Sequence, residues 1–227
     1  MMNSEALDEI WERAEAAWFD DDFTTAIDLY QRLEAAGQSR AGLRLGEMYR
    51  EGWGVAADGR RARDYFTRAI AAGNAEGFRA MAQLYRYGAP GIEKDWVTAQ
   101  EWYERAAVSD PWAFMEIGEL YARGGPRLVK NYATARDWYA RASDVDGREC
   151  FNIAVLYREG GPGLERNYGQ AKEWLEKAVG HDPNISSFVL MMIGDLYREG
   201  GPGLPRDLAQ AEAYEHRARE YFPQWPG

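Results

Sequence analysis

Tyrosines stand at Tyr49, Tyr85, Tyr121, Tyr157 and Tyr197, spaced 36, 36, 36 and 40 residues apart. A fixed period of this size obliges a chain to build one supersecondary unit repeatedly. Three residues before each Tyr lies a small residue (Gly46, Ala82, Gly118, Ala154, Gly194), and three after it a glycine (Gly52, Gly88, Gly124, Gly160, Gly200). A second register holds alanines at Ala62, Ala99, Ala135, Ala171 and Ala211, and again seven residues later at Ala69, Ala106, Ala142, Ala178 and Ala218. Aromatics fall between the two alanine rows, at Tyr65, Trp102, Trp138, Trp174 and Tyr214.

Each unit reads as two helices. The first carries inward residues at helical spacing, as in Phe114, Ile117, Gly118 and Tyr121, and stops at glycine, which ends helices without a Cβ penalty. The second opens with Asp58, Asp95, Asn131, Asn167 or Asp207, whose side-chain oxygen can accept a hydrogen bond from a free amide of the first turn. Gly-containing stretches such as EGGPGLERN lie between them as loops. The small residues predict close approach of neighbouring helices, with the aromatics filling the remaining interior.

Motifs such as GELYARGGPRLVKNYATARDWYARA, recurring from about Arg40 to Arg219, resemble the Sel-one-like repeat family, relatives of tetratricopeptide repeats with a longer loop inside each pair. Ahead of them, Ala14, Asp22, Phe23, Ala26 and Tyr30 fit a tetratricopeptide-style pair with a short turn. The expected fold is all-α: a right-handed α-solenoid of about six antiparallel helix pairs forming one domain. Its parts are an N-terminal pair over 4–37, five repeats over 40–219 and an aromatic tail over 220–227. The spacing of 40 before the last unit adds four residues around Gly180 to Asn184, close to one helical turn, so a helix can lengthen there with its inward face in phase. A solenoid end exposes an apolar face. The tail, Tyr221 to Trp225, either covers that face or is a self-association surface.

Chemistry is sparse. Cys150 falls at an inward position shared with Phe78, Phe114 and Leu190, which predicts a buried, inert thiol. His181 and His216 are unpaired along the chain, and Asp20-Asp21-Asp22 reads as an acidic turn and helix start. Asp144-Val145-Asp146-Gly147 begins like a calcium loop, but its glycine comes too early. The glycine-rich loops lack the GK[ST] of a phosphate loop. These readings predict no catalytic residue, no metal and no cofactor. The longest apolar run, Phe188 to Ile193, is too short to span a membrane. A formal charge of −10 argues against nucleic acid, which needs local excess of Lys and Arg. The start MMNSEALDEI is acidic where a secretory signal is basic, so a cytoplasmic protein is expected.

A partner surface follows from helical spacing. Places six and three before the small residue, and one and four after it, form a stripe beside the inward face. By analogy with tetratricopeptide repeats, this stripe faces a concave groove. It carries Arg50, Arg79, Arg86, Arg158 and Arg198, together with Trp112, Met115, Phe151, Phe188 and Met191. Arginine forks suit an acidic peptide or a C-terminal carboxylate, and apolar residues on a wet groove suit anchoring. The alternatives are that the arginines pair with Glu47, Glu51, Glu159 and Glu199, and that tighter packing buries the apolar residues.

The resemblance implies a non-catalytic interaction scaffold, as family members serve as bacterial adaptors, regulators or toxin-immunity proteins. The expected partner is a protein or peptide, with no nucleic acid or membrane, and the chain is a monomer or weak homo-oligomer. The rival readings are a hydrolase of peptide or cell-wall fragments and a self-assembling structural protein.

Overall fold

A computed structural model describes residues 4–143, 148–181 and 183–221. The described residues form six consecutive helix pairs. These are α1 (Ser4–Phe19) with α2 (Phe23–Ala35), α3 (Ser39–Glu51) with α4 (Gly59–Ala71), and α5 (Glu76–Tyr87) with α6 (Trp96–Ala106). Then follow α7 (Trp112–Arg123) with α8 (Tyr132–Ser143), α9 (Arg148–Glu159) with α10 (Tyr168–His181), and α11 (Pro183–Glu199) with α12 (Leu208–Tyr221). Two compact units divide the chain, 1–113 and 114–227, the boundary falling in α7.

The caps explain the boundaries. Asp58 accepts from the amides of Arg60 and Arg61 at 3.0 and 3.1 Å, and Asn167 accepts from Gln170 at 2.9 Å. Asp95, Asn131 and Asp207 cap α6, α8 and α12 in the same way. Each first helix of a repeat runs into a glycine at positive φ, from 63° at Gly124 to 83° at Gly52, the left-handed region that side chains avoid. The repeating Tyr has a backbone role. Its carbonyl accepts the amide of the next cap residue, as in Asp58 to Tyr49 at 2.7 Å and Asn167 to Tyr157 at 2.8 Å. The loop proline in turn serves the preceding pair. The amides of Gly59, Tyr132 and Tyr168 donate to the carbonyls of Pro90, Pro162 and Pro202 at 2.7–2.8 Å, so these three loops seat on the start of the second helix of the preceding pair.

Packing follows the small-residue registers. A Cβ at Gly46 would lie 2.3 Å from the Phe66 ring, and one at Gly118 would lie 2.6 Å from Tyr139, so the rings rest directly on the first-helix backbone. All ten register alanines are buried. The aromatic register behaves differently from expectation. Tyr65, Trp102, Trp138 and Trp174 are half-buried, and the fully buried volume is supplied one residue later by Phe66, Tyr103 and Leu175. The half-buried rings stack on the preceding first helix, as in Tyr49–Tyr65 at 5.4 Å and Phe114–Trp138 at 5.9 Å. A cation three residues on then covers each from outside. Arg68, Arg105, Arg141, Lys177 and Arg217 lie 3.8–5.0 Å from the rings of Tyr65, Trp102, Trp138, Trp174 and Tyr214.

The helices that flank the four extra residues of the last unit are lengthened. α10 and α11 have 14 and 17 residues where α9 has 12. Cys150 is buried in the core of the second unit, as its register predicts. The calcium-like Asp144 to Gly147 and tail residues 222–227 lie outside the described residues.

Candidate functional site

In the first unit the stripe lines a half-open cleft of about 580 Å³. Leu43 and Glu47 come from α3, Glu76, Arg79 and Gln83 from α5, and Asp110 from the loop before α7. Leu43 and Ala80 are buried and give the cleft an apolar floor. Asp110 is placed by its own turn, where its carboxylate accepts the Trp112 amide at 3.1 Å. Burial pushes the Glu47 carboxyl above the usual glutamate range. The guanidinium groups of Arg44 and Arg50 pull it back, and the negative charge of Glu76 pushes the same way as burial.

The arginines of the row are engaged by their surroundings. Arg50 holds Glu51 at 2.7 Å and donates to the Gln83 side-chain Oε1 at 3.2 Å. Arg79 meets Asp110 at 3.3 Å. Arg158 meets Glu199 at 3.2 Å, and Arg198 pairs with Asp195 at 2.8 Å and with Glu215. Arg86 is buried, 5 % exposed, with its guanidinium 5.2 Å from the Tyr87 ring. Beside it, burial raises the Tyr103 hydroxyl to about 12 against the opposing pull of Arg86, and that hydroxyl has no partner at hydrogen-bonding geometry. A row that spacing places on one line is therefore held by carboxylates, amides and rings.

The apolar members are split. Met115 is partly buried against Tyr139 and Ile153. In the second unit, Phe188 and Met191 of α11 are 59 % and 53 % exposed. Phe188 packs on Phe151 of α9 at 5.9 Å. Two large apolar side chains one helical turn apart, backed by a third ring, make a continuous patch. In the first unit Trp112 is 36 % exposed.

Asp110 and Ser109 belong to the cleft yet lie outside the helical stripe, because they come from the loop between repeats. Their signal is the Ser-Asp-Pro start before α7, a cap whose carboxylate also turns back to Arg79. Among the described residues no group of three or more His, Cys, Asp or Glu could hold a metal, and no helix is long and apolar enough to cross a membrane.

Helix pairs in series, with a first-helix face carrying the distinctive chemistry, place this chain among the helical-repeat proteins. Five segments, 39–74, 79–107, 115–145, 150–179 and 188–222, match the Sel1 repeat model, and the chain belongs to the Sel1 repeat family. The family fold typically acts as a non-catalytic scaffold for protein interactions. A Sel1 repeat protein from Oxalobacter formigenes is similar at 23 % identity and a TM-score of 0.64, over 92 % of this chain and 84 % of that one. A protective antigen of uropathogenic Escherichia coli strains with an SLR fold is similar at 24 % identity and a TM-score of 0.65. That match covers 97 % of this chain and 49 % of the antigen, so the chain spans about half its length. Comparison with curated proteins found no match.

Proposed function

We propose that the chain is a non-catalytic scaffold that holds a protein or peptide partner on the face of its repeats' first helices, as an adaptor, regulator or toxin-immunity protein of the bacterial cytoplasm. The observation that carries this reading is the patch of Phe188 and Met191 over Phe151. Exposing two large apolar side chains side by side is costly in water unless a partner covers them. The caps, alanines and loop prolines supply the frame, and the stripe carries acidic residues in the first unit and large apolar ones in the second.

Photo-crosslinking tests this. A benzophenone amino acid is placed at Phe188, at Gln83 or, as a control on the second helices, at Asp137, and the protein is irradiated in lysate of its source cell. A common partner band is expected from Phe188 and Gln83 and none from Asp137. Bands from Asp137 alone would overturn it, and a band that contains only this chain would mark self-assembly instead.

A further inference from the structure

Of the stripe's chemistry, what remains available in the first unit is negative. Sequence spacing suggests a line of arginines for an acidic ligand, but Arg50 and Arg79 are bonded to Glu51 and Asp110, and Arg86 is buried. The cleft itself is lined by Glu47, Glu76 and Asp110 against the single cation Arg79. Asp110 balances Arg79, and Glu47 leans on Arg44 at 3.5 Å. The Glu76 carboxylate makes no ion pair among the described residues, and it lines the same cleft as Glu47, near enough for its charge to act on that carboxyl.

We propose that this cleft seats a basic side chain, arginine or lysine, from a partner polypeptide. The cationic head lies between Glu47 and Glu76, and the aliphatic stem lies over Leu43 and Ala80. Resting on the reading that the first-helix face binds a partner, this adds the chemistry of what enters. Three properties combine. A volume of about 580 Å³ is ample for one long side chain with part of its backbone. An apolar floor suits methylene groups, which basic side chains bury while their heads stay at polar groups. Two carboxylates from different helices, one of them without a counter-ion, leave a negative deficit that a cation completes and an acidic peptide aggravates. The Glu47 carboxyl is held above its ordinary range chiefly by burial, against the pull of Arg44 and Arg50 and with a smaller push from Glu76.

The probes are the capped tripeptides acetyl-Gly-Arg-Gly-amide and acetyl-Gly-Glu-Gly-amide, titrated into the full 15N-labelled chain while amide shifts are followed. The arginine peptide should give saturable shifts at Glu47, Glu76, Gln83 and Ser109, and the glutamate peptide none. Glu76→Gln, which removes no ion pair and should leave the spectrum folded, should weaken the arginine peptide about fivefold. Glu47→Gln should weaken it as well. Absence of saturation, equal response to the two peptides, or indifference to Glu76→Gln would each overturn the proposal. Its failure is distinguishable from failure of the scaffold reading. A partner that crosslinks at Gln83 while the arginine peptide ignores the cleft would refute the basic ligand alone.

Discussion

The first unit and the second carry the same frame and opposite faces. At matching places in the repeat, α3 and α5 present Leu43, Glu76 and Arg79 around a cleft, while α9 and α11 present Phe151, Phe188 and Met191 as an apolar patch. Beneath both lie the same devices: an Asp or Asn cap, a loop proline carbonyl on the preceding helix, a ring resting on a small residue and a cation over the half-buried aromatic. The frame is repeated because each unit must bury the same surface against its neighbour. The faces differ because nothing in the stacking constrains them.

Breaking the frame should produce the largest effect, and it should do so equally in both units. Gly46→Val or Gly118→Val drives a side chain into the ring of Phe66 or Tyr139, and each should destabilise by about 3 kcal/mol or prevent folding, read by urea denaturation. Next comes a substitution that should spare the frame. Phe188→Ser with Met191→Ser should lower partner retention about tenfold or more, yet change stability by only about 1 kcal/mol through the lost ring contact with Phe151. A drop in stability as large as that of the glycine variants would make the patch part of the core.

A smaller effect is expected on the second helices. Burial pushes the Glu176 carboxyl up, but hydrogen bonds from Lys172 and from the Tyr214 hydroxyl overcome it and hold the group below its ordinary value. A carboxyl lowered in the folded state contributes stability above its unfolded pKa, and loses it as pH falls through the folded value. Tyr214→Phe should therefore cost about 1 kcal/mol at neutral pH, with a gap from the parent that narrows in acid, measured by denaturation at several pH values. The smallest expectation is Tyr103→Phe. It removes a buried hydroxyl without a partner and should change stability by no more than about 0.5 kcal/mol in either direction.

The frame is legible in the sequence because its causes are local and periodic. Tyr49 and its four successors, the capping acids and amides and the two alanine rows all mark positions where backbone geometry or close approach admits few residue types. The cation row emerges only from the structure, although Arg68, Arg105, Arg141, Lys177 and Arg217 each follow an aromatic by three residues, one helical turn. The faces are not legible in the same way. Spacing assigns Arg86 and Arg158 to one line and leaves a binding row and internal pairing as alternatives; packing decides, burying the first beside Tyr103 and pairing the second with Glu199. Long side chains choose partners across helices, and Asp110 enters the cleft from a loop that carries no helical period.

In the proposed division of labour, partners meet the first helices while the second helices serve the frame. Amide hydrogen exchange of the chain, free and bound to the partner recovered by crosslinking, tests it most directly. Added protection is expected in α3, α5, α9 and α11, with α4, α8 and α12 unchanged. Protection confined to those second helices would contradict it.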